Sequence, residues 1–351
     1  MIHKIKILFF LFGGCGGAER MTLNIAKSLP SDKYSVKFVV CGTYKNIYPF
    51  IPTNYDIISI PWHNIYCFPK IRMANVIYKE KPDFVFSSSM GLNVRLLEIS
   101  KWFGIKCIVR SDNMLCYVNS PRMVKRIEKT YKSAYRVIAQ QEEMQAELID
   151  LVGTDSHHIV CLHNPIDTET IKRKLLDGTP YPNDDSINYL WVGNYQVTKG
   201  HDVLVDAFKI VHEQNPKSHL YFVGNIDVAQ PNYHKVKQMV KDYNLVDYVH
   251  FMGQQENPYN WMKYCDCFVL PSRLEGLPNV LIEAQYIGRP CVATECIPMI
   301  KRIIDNGVNG YTVPVEDPES MAIAMQKAIK MGEVKMTYKP ATQLDFVKLF
   351  R

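Results

Sequence analysis

The chain has 351 residues, of which 47% are hydrophobic and 22% are charged, and its formal net charge is +6. This length fits two domains of ordinary size, with enough apolar material for a core in each. No apolar run approaches the roughly 18 residues that a membrane-spanning helix needs, which argues against an integral membrane protein. Ten cysteines in so long a chain are too sparse for a disulfide scaffold, so we expect free thiols in a reducing, cytoplasmic compartment.

The positive charge is concentrated in the first half of the sequence. Through Asp167 there are 21 Lys and Arg residues against 14 Asp and Glu, whereas the remainder has 20 against 21. A basic surface of this kind predicts an anionic partner, either a membrane face or a phosphorylated acceptor. Nucleic acid is not predicted, because no zinc finger, basic zipper or other recognisable module is present.

Predicted strands alternate with predicted helices along the whole chain. Residues 5–12 form an apolar run interrupted only by Lys6, as expected of a parallel strand buried on both faces, and residues 18–29 have helical apolar spacing. Asn164-Pro165-Ile166-Asp167 is predicted to be a hinge, after which the alternation begins again. The predicted strands are 5–12, 36–41, 83–87, 105–110, 136–139, 159–163, 188–192, 220–223, 249–251, 267–270, 291–293 and 311–313, and the predicted helices are 18–29, 92–103, 142–152, 202–213, 233–243, 279–286 and 320–331.

This alternation implies an α/β protein with a doubly wound parallel sheet in each half. We predict a Rossmann-like domain at 1–164, a second at 165–331, and a tail at 332–351 that crosses back to the first domain. Ligands in such folds bind at the carboxyl ends of the strands, so two halves facing each other would share a cleft.

A glycine-rich loop, Gly13-Gly14-Cys15-Gly16-Gly17, joins the first predicted strand to the first helix. Glycine allows close approach of a ligand to the backbone, and a helix N-terminus attracts anions. The loop fits neither the dinucleotide fingerprint nor the P-loop, because Glu19 replaces the third glycine and no Gly-Lys-Ser/Thr follows. We interpret it as a phosphate or sugar contact rather than only a tight turn.

Two further segments carry candidate chemistry. Lys199-Gly200 precedes a predicted helix, where an ammonium group and a helix N-terminus would together stabilise a leaving diphosphate; a solvated surface lysine is the alternative. Glu275 and Glu283 flank Gly-Leu-Pro-Asn-Val-Leu-Ile, with Pro278 fitting the first helical position. Glu283 then lies on an apolar helix, where its carboxylate needs a partner such as two vicinal ribose hydroxyls, or a salt bridge.

These residues resemble a known family. Glu-Gly-Leu-Pro-Asn-Val-Leu-Ile-Glu-Ala and Gly-Arg-Pro-Cys-Val-Ala-Thr, within 272–294, are similar to the donor-site signature of the family 4 retaining glycosyltransferases of the GT-B fold. Gly-Gly-Ala-Glu-Arg at 16–20 resembles that family's first loop, and the similarity extends over nearly the whole chain. It is strongest to enzymes that extend polyprenyl-diphosphate-linked glycans.

The resemblance implies a role for each matching position. Glu283 would bind the ribose, Glu275 the transferred sugar, and Lys199 the diphosphate, while the amides of Gly276 and Leu277 would hold the diphosphate or the sugar.

The chain departs from the family at two places. Asn194 stands where an arginine is usual, for which Arg273 is a candidate substitute, and Cys296-Ile297-Pro298-Met299 replaces a Gly-x-Pro-Glu segment. The predicted catalytic residues are Lys199 and Glu275; the predicted donor-binding residues are Gly16, Gly17, Gly193, Asn194, Lys199, Arg273, Glu275, Gly276, Leu277 and Glu283; and the predicted acceptor-binding residues are Arg110 and Asn113.

No metal or other cofactor is predicted. The histidines and cysteine at 157–163 lack a recognised zinc spacing and are interpreted as strand and hinge. An Asp-x-Asp pair that would hold a divalent ion on a sugar nucleotide is also lacking.

The basic stretch at 122–136, with apolar residues at helical spacing, is compatible with a membrane-surface helix or with the solvated face of a core helix, and the first is slightly favoured by a lipid-linked acceptor.

The sequence therefore predicts a retaining transferase that moves a hexosyl or N-acetylhexosaminyl group from a UDP-sugar to a glycan acceptor, on the cytoplasmic side of the membrane. Two alternatives remain open: a sugar-nucleotide 2-epimerase on the same fold, and a non-catalytic sugar-nucleotide-binding subunit.

Overall fold

The structure is a computed structural model that describes residues 4–14, 16–42, 46–61, 70–115, 118, 120–155, 157–175, 178–182, 185–225 and 231–350. The chain divides into two compact units. The first is Met1–Pro165 together with Pro340–Arg351, and the second is Ile166–Lys339. Each unit is built on one sheet whose described strand pairs are all parallel, so the predicted pair of doubly wound α/β domains is confirmed.

The first unit contains a seven-stranded sheet in the order β3-β2-β1-β4-β5-β6-β7. The strand order reverses beside β1, whose Ile7 pairs with Phe84 of β4, and this reversal makes a topological switch point. The strands are β1 (Ile5–Phe12), β2 (Tyr34–Cys41), β3 (Asp56–Ile60), β4 (Phe84–Ser87), β5 (Lys106–Arg110), β6 (Arg136–Ala139) and β7 (Ile159–Cys161), and the helices before the tail are α1 (Gly17–Lys27), α2 (Lys70–Glu80), α3 (Met90–Phe103), α4 (Pro121–Tyr131) and α5 (Glu142–Val152).

The last residues of the chain complete the core of the first unit. Phe350 is fully buried, and its ring lies 5.5 Å from that of Phe84 and 6.2 Å from that of Phe9, centroid to centroid. Phe346 belongs to the same cluster, which covers the α1 side of the sheet. Helices α2 to α5 cover the other side with a separate apolar cluster.

The second unit contains a six-stranded sheet in the order β10-β9-β8-β11-β12-β13. Its strand order reverses between β8 and β11, which are joined by pairing of Phe268 with Leu190. The strands are β8 (Ile187–Val192), β9 (Ser218–Val223), β10 (Val249–Gly253), β11 (Cys267–Leu270), β12 (Cys291–Thr294) and β13 (Gly310–Val313); the helices are α6 (Thr168–Lys174), α7 (His201–Gln214), α8 (Pro231–Asp242), α9 (Pro258–Tyr264), α10 (Asn279–Tyr286), α11 (Ile300–Ile303) and α12 (Pro318–Ala328), and α13 (Gln343–Val347) lies in the tail of the first unit.

Every predicted strand and helix is present within a few residues, but several elements were not predicted. The clearest are β3 and α2. Strand β3 is a five-residue edge strand whose side chains are mostly exposed, so it lacks the apolar run of a buried strand. Helix α2 exposes Ile71 and Tyr78, at 83% and 65%, which obscures its apolar stripe. Among the described residues, no helix combines the length and the apolar character needed to cross a bilayer.

Candidate active site

The loops that follow β8 and β11 meet at the topological switch point of the second sheet. The backbone N–H groups of Arg273 and Leu274 both donate to the Thr198 carbonyl, at 2.8 and 3.3 Å. Gly200 has a φ of 64°, and a Cβ at this position would lie 2.0 Å from the Pro271 carbonyl oxygen. Only glycine fits this conformation and this contact, so the two loops form one closely packed unit.

This packing brings together the two predicted catalytic residues. Lys199 Nζ donates to Glu275 Oε1 at 2.7 Å, and Ser272 Oγ donates to the same oxygen at 2.7 Å. The Glu275 side chain is 9% exposed and that of Lys199 is 24% exposed. Ser272 is itself fixed, because Thr294 Oγ1 donates to its carbonyl. A carboxylate buried to this extent needs both hydrogen bonds, and the ammonium group that balances its charge is held in a defined position.

Helix α10 begins at the end of the same loop. The helix has its predicted bounds, Asn279–Tyr286, but Pro278 is the N-cap rather than the first helical residue. Gly276 and Leu277 lie directly before this start, as predicted. Glu283 is partly buried on the second turn of α10, a helix whose packed residues include Leu281. The loop thus places Glu275, two backbone amides and Glu283 along one helix and its entrance.

Arg273 belongs to a network of four charged side chains. It donates to Asp202 Oδ1 at 2.8 Å and binds the Glu316 carboxylate, while Lys235 donates to Asp202 Oδ2 at 2.8 Å. Burial opposes ionisation of Asp202, but the hydrogen bonds from Arg273 and Lys235 hold the pKa of its carboxyl well below the ordinary value. Arg273 also donates to the Val197 carbonyl at 2.8 Å. Its guanidinium therefore fixes residues 193–200, the loop that carries Lys199, which we call the lysine loop.

A buried aromatic cluster packs around Tyr195 of the lysine loop. The ring of His201 stacks on that of Tyr195 at 4.2 Å and meets the ring of Trp191 edge-on at the same distance. Burial lowers the pKa of His201 to about 3, an effect that Asp202 opposes and Lys199 reinforces. His201 is therefore neutral over the working pH range. Sequence reasoning missed both His201 and Asp202, although they directly follow Lys199-Gly200 and could have been found from that position.

The predicted residues Gly193 and Asn194 lie in the same loop. A Cβ on Gly193 would lie 2.8 Å from the Trp191 ring, and a Cβ on Gly224 would lie 1.6 Å from the Gly193 carbonyl oxygen. These glycines allow the loops after β8 and β9 to pack closely. Asn194 is exposed, and it occupies the position where the family resemblance predicts an arginine.

The glycine loop lies at the switch point of the first sheet. Gly16 is the N-cap of α1 and Gly17 its first residue. The carboxylate of Glu19 accepts hydrogen bonds from the backbone N–H groups of Gly16 and of Glu19 itself, although burial raises its pKa above the ordinary value. Among the described residues, nothing lies within 4 Å of a Cβ built on Gly14 or on Gly17, and neither has a positive φ. Neither packing nor backbone conformation therefore requires glycine at these two positions.

The two predicted acceptor-binding residues differ in their surroundings. Arg110 is 2% exposed, and its guanidinium binds Asn164 Oδ1. Burial lowers the pKa of Arg110 to about 10, against the influence of Asp112, so it remains charged. Asn113 is exposed, and its carbonyl accepts from Ser111 Oγ at 3.1 Å. Arg110 therefore lies inside the unit, whereas Asn113 is accessible.

Asp112, which lies between Arg110 and Asn113 in the sequence, was not predicted as a site residue. Burial raises the pKa of its carboxyl, although its own backbone N–H, Arg110 and the backbone N–H of Met90 act in the opposite direction. Its charge also raises the pKa of Glu19. Two carboxyl groups whose ionisation burial disfavours thus lie beside the glycine loop. The signal that could have identified Asp112 is its position directly after a buried strand.

The chain matches two protein families. "Glycosyltransferase Family 4" matches residues 15–170, and "Glycosyl transferases group 1" matches residues 178–344. An Escherichia coli UDP-Gal:alpha-D-GlcNAc-diphosphoundecaprenol alpha-1,3-galactosyltransferase is 23% identical, over 92% of this chain and 87% of its own length.

A second relative and a solved structure extend this similarity. The Campylobacter jejuni N-acetylgalactosamine-N,N'-diacetylbacillosaminyl-diphospho-undecaprenol 4-alpha-N-acetylgalactosaminyltransferase is 23% identical over 100% of this chain and 98% of its own length. The crystal structure of Anabaena HepE in complex with UDP-glucose superposes with a TM-score of 0.75 at 18% identity, over 99% of this chain and 95% of that one. Together with the two doubly wound sheets, these matches show that the chain belongs to the family 4 glycosyltransferases of the GT-B fold.

Proposed function

We propose that this enzyme transfers a hexosyl or N-acetylhexosaminyl group, with retention, from a UDP-sugar to a lipid-linked glycan acceptor in surface polysaccharide or glycan biosynthesis. The observation that carries the proposal is the Lys199–Glu275 pair, fixed at the switch point of the second sheet beside the start of α10. The names of the E. coli and C. jejuni relatives specify acceptors linked to diphosphoundecaprenol, and HepE was crystallised with UDP-glucose. These similarities support the choice of donor and acceptor.

The donor would bind along the loop from Glu275 to the first turns of α10. Lys199 would turn from the Glu275 carboxylate to the diphosphate, and the amides of Gly276 and Leu277 would face the same anion. Glu275 would then accept hydrogen bonds from sugar hydroxyls, and Glu283 from the ribose. Because an ammonium group and a helix N-terminus supply the positive charge, we propose that transfer requires no metal ion or other cofactor.

Stabilisation of the leaving group is the main catalytic effect that this arrangement offers. As the bond between the anomeric carbon and the diphosphate breaks, negative charge accumulates on the diphosphate, and a pre-positioned ammonium group lowers the energy of that state. Arg273 and His201 would act indirectly. They hold the loop that carries Lys199, through the Val197 carbonyl and through the Tyr195 ring respectively.

The first unit would supply the acceptor site. Gly16 and Gly17 would let a phosphate or sugar approach the start of α1, and Asn113 would offer an accessible amide. Because Arg110 is buried against Asn164, we propose that it positions the loop after β5 rather than touching the acceptor.

Helix α4 presents a basic surface for an anionic membrane. Its apolar residues Ile127 and Tyr131 are fully buried in the core of the first unit, so these side chains are not available to enter lipid. The outward side of this segment is exposed and basic, which supports electrostatic contact with the cytoplasmic face of the membrane. The exposed basic residues are Arg122, Lys125, Lys129 and Lys132.

Liposome sedimentation tests this contact. The wild type should sediment with anionic vesicles but not with neutral ones, whereas Arg122→Glu/Lys125→Glu/Lys129→Glu should not sediment. A control with Lys209 and Lys217 of the second unit changed to Glu should behave as the wild type. Unchanged sedimentation of the triple variant would remove α4 from the membrane contact.

A thermal-shift screen against UDP-, GDP- and ADP-sugars tests the donor. A ligand at a hundred times its Kd stabilises the folded state by about 2.7 kcal/mol, so the correct donor should raise the melting temperature visibly. Transfer to a synthetic polyprenyl-diphosphate-linked sugar then tests the activity. Formation of UDP-ManNAc from UDP-GlcNAc without acceptor would identify a 2-epimerase instead, and UDP binding without turnover of any acceptor would identify a non-catalytic subunit.

A further inference from the structure

Three side chains with metal-binding atoms converge at the β7 edge of the first sheet, away from the glycine loop that follows β1. They are Glu142, Cys161 and His163, and their ligand atoms all lie within 4.8 Å of one another. Glu142 Oε1 is 3.5 Å from His163 Nε2. The side chain of His163 is 24% exposed and that of Glu142 is 53% exposed, so an ion in solution has access to the group.

The fold itself brings these residues together. Cys161 is the last residue of β7, and His163 lies two positions later on the same side of the extended chain. Ala139, at the end of the neighbouring strand β6, pairs with Cys161, so the chain that leaves β6 passes beside it. Helix α5 then begins at Glu142, and Gln145 Nε2 in its first turns donates to the Ile159 carbonyl at 2.6 Å. The helix start is therefore fastened to β7, and the three side chains are held near each other without a ligand.

The sequence pattern misdirects attention to two other histidines. His157 is exposed, and His158 Nε2 lies 2.9 Å from the Tyr131 carbonyl oxygen. Neither belongs to the group of three. Glu142, which completes it, is separated from Cys161 by a whole helix and a strand, so no local spacing shows the cluster.

We propose that Glu142, Cys161 and His163 form a binding site for Zn²⁺ or a similar transition-metal ion. Thiolate, imidazole and carboxylate are all zinc ligands, whereas Ca²⁺ and Mg²⁺ prefer oxygen ligands alone. Tetrahedral coordination at bond lengths of about 2.0–2.3 Å requires the ligand atoms to be about 3.4–3.8 Å apart, a small contraction that the exposed Glu142 side chain can supply. On binding, the Cys161 thiol releases its proton to solvent and Sγ bonds to the metal, with water in the fourth position.

The metal would fix the segment that leads out of the first unit. His163 is followed by Asn164, whose Oδ1 binds the Arg110 guanidinium and whose Nδ2 donates to Gln140 Oε1 at 3.3 Å. Gln140 in turn donates from Nε2 to the Ser111 carbonyl at 2.7 Å. Occupancy of the site would therefore stiffen the loop that carries Arg110 and Asp112. This inference stands independently of the donor and acceptor proposed above.

Cobalt titration of the full-length, reduced and chelator-treated protein tests the proposal. Co²⁺ should give a near-ultraviolet thiolate charge-transfer band that saturates at one equivalent and disappears on addition of Zn²⁺. Cys161→Ser should abolish the band, and Glu142→Gln should weaken cobalt binding by at least about 10–100-fold, the range seen when only an outer-shell partner of a metal ligand is removed. His157→Ala, which changes a nearby exposed histidine outside the group, should bind as the wild type.

Thermal unfolding with Zn²⁺ provides a second measurement that does not depend on activity. Zn²⁺ should raise the melting temperature of the wild type and of His157→Ala but not of Cys161→Ser, since an ion that binds only the folded state stabilises it. A band that persists in Cys161→Ser, the same zinc-dependent shift in that variant, or no band in the wild type at millimolar Co²⁺ would each overturn the site. Circular dichroism without metal shows that a variant has folded.

Discussion

Two glycine-containing loops, one in each unit, follow the central strand of a parallel sheet and lead into a helix, yet glycine is present in them for different reasons. Gly200 has a left-handed conformation against the Pro271 carbonyl and has no room for a Cβ. Gly17 has an ordinary φ, and a Cβ there would meet no described atom within 4 Å. The first glycine is required by the fold. For the second, we propose that a ligand approaches the backbone there.

The two predicted sites therefore differ in how far their side chains are organised before a ligand binds. Around Lys199, the charged and polar groups already have partners, so the donor site is shaped before any ligand binds. Around Gly17, burial raises the pKa of the Glu19 and Asp112 carboxyls, and the charge of Asp112 adds to the rise for Glu19. Preorganisation favours stabilisation of charge around Lys199, whereas burial disfavours charge on the two carboxyls beside Gly17.

The largest effect is expected for Lys199→Ala in the preorganised site. The variant removes the ammonium group that we assign to the diphosphate, and turnover of a UDP-sugar with acceptor should fall about 10²–10³-fold, as when one preorganised group is removed from a transition-state site. Steady-state kinetics measures this change. Lys209→Ala, in helix α7 directly after the loop that carries Lys199, has a side chain that is 44% exposed; it is the matched control and should retain wild-type turnover.

A structural explanation for that loss can be separated from a catalytic one. Lys199→Ala leaves the Glu275 carboxylate with Ser272 as its remaining described side-chain donor, which costs stability. Lys199→Ala/Glu275→Gln should recover the melting temperature, because the amide carries no charge, and it measures how much of the Lys199→Ala effect is structural; its turnover is not compared, since Glu275 is itself assigned to the sugar. Near-normal turnover in Lys199→Ala would remove this residue from the mechanism.

The next effect concerns Gly200→Ala, which tests whether packing dictates the lysine loop. A methyl group 2.0 Å from the Pro271 carbonyl oxygen forces the two loops apart. We expect a loss of about 3 kcal/mol in the free energy of unfolding, from the left-handed backbone and the displaced contact together. Urea denaturation measures it. A change below about 0.5 kcal/mol would show that the loops are not held as the structure describes.

Gly17→Ala is the counterpart in the first unit, and it should separate activity from stability. Since a Cβ meets no described atom, the free energy of unfolding should stay within about 0.5 kcal/mol of the wild type. Turnover should fall about tenfold, because a methyl group would stand between the start of α1 and an anionic ligand. Equal turnover of variant and wild type would mean that this glycine contacts no ligand.

The smallest effect is expected for Asp112→Asn, and it depends on pH. Burial raises the pKa of the Asp112 carboxyl, so the folded protein binds this proton more tightly than the unfolded chain does. The stability that this group contributes is complete below the unfolded pKa, about 3.9, and is lost as the pH rises through the folded value. Melting temperatures should therefore be similar at pH 4, and Asp112→Asn should melt modestly higher at pH 7.

The opposite pH dependence would contradict the conclusion that burial raises the pKa of Asp112. Asp32→Asn serves as control, since Asp32 is exposed in the same unit and should change the melting temperature little at either pH.

Much of the fold could be predicted because buried parallel strands have a strong sequence signal. Strand β1 is apolar except for Lys6 and was predicted with its observed bounds. The exposed edge strand β3 escaped because it buries too little apolar surface to impose a pattern on the sequence. Helix α2 escaped because its exposed Ile71 and Tyr78 obscure the apolar stripe. Those elements follow from the architecture rather than from local composition.

The candidate site, like the fold, could be predicted only in part from the sequence. Lys199 and Glu275 could be predicted as partners in one site, because each lies near the carboxyl end of a buried strand and beside a helix start. The partners of Arg273 could not be predicted, because Asp202 and Glu316 are 71 and 43 residues away in the sequence and only the fold brings them into contact. Asp112 lacked a signal of its own, since a single aspartate after a strand is common, and only burial distinguishes it.

The course of the tail governs the order in which the protein can assemble during synthesis. Tyr34 Oη donates to the Val347 carbonyl across 313 residues, and Phe350 packs on rings from β1 and β4. The ribosome must therefore translate the entire second unit before the first can bury its last aromatic side chains. Contacts of such long sequence separation are slow to form, so the nascent first unit has an open apolar surface for most of translation and is the part of the chain that chaperones would protect.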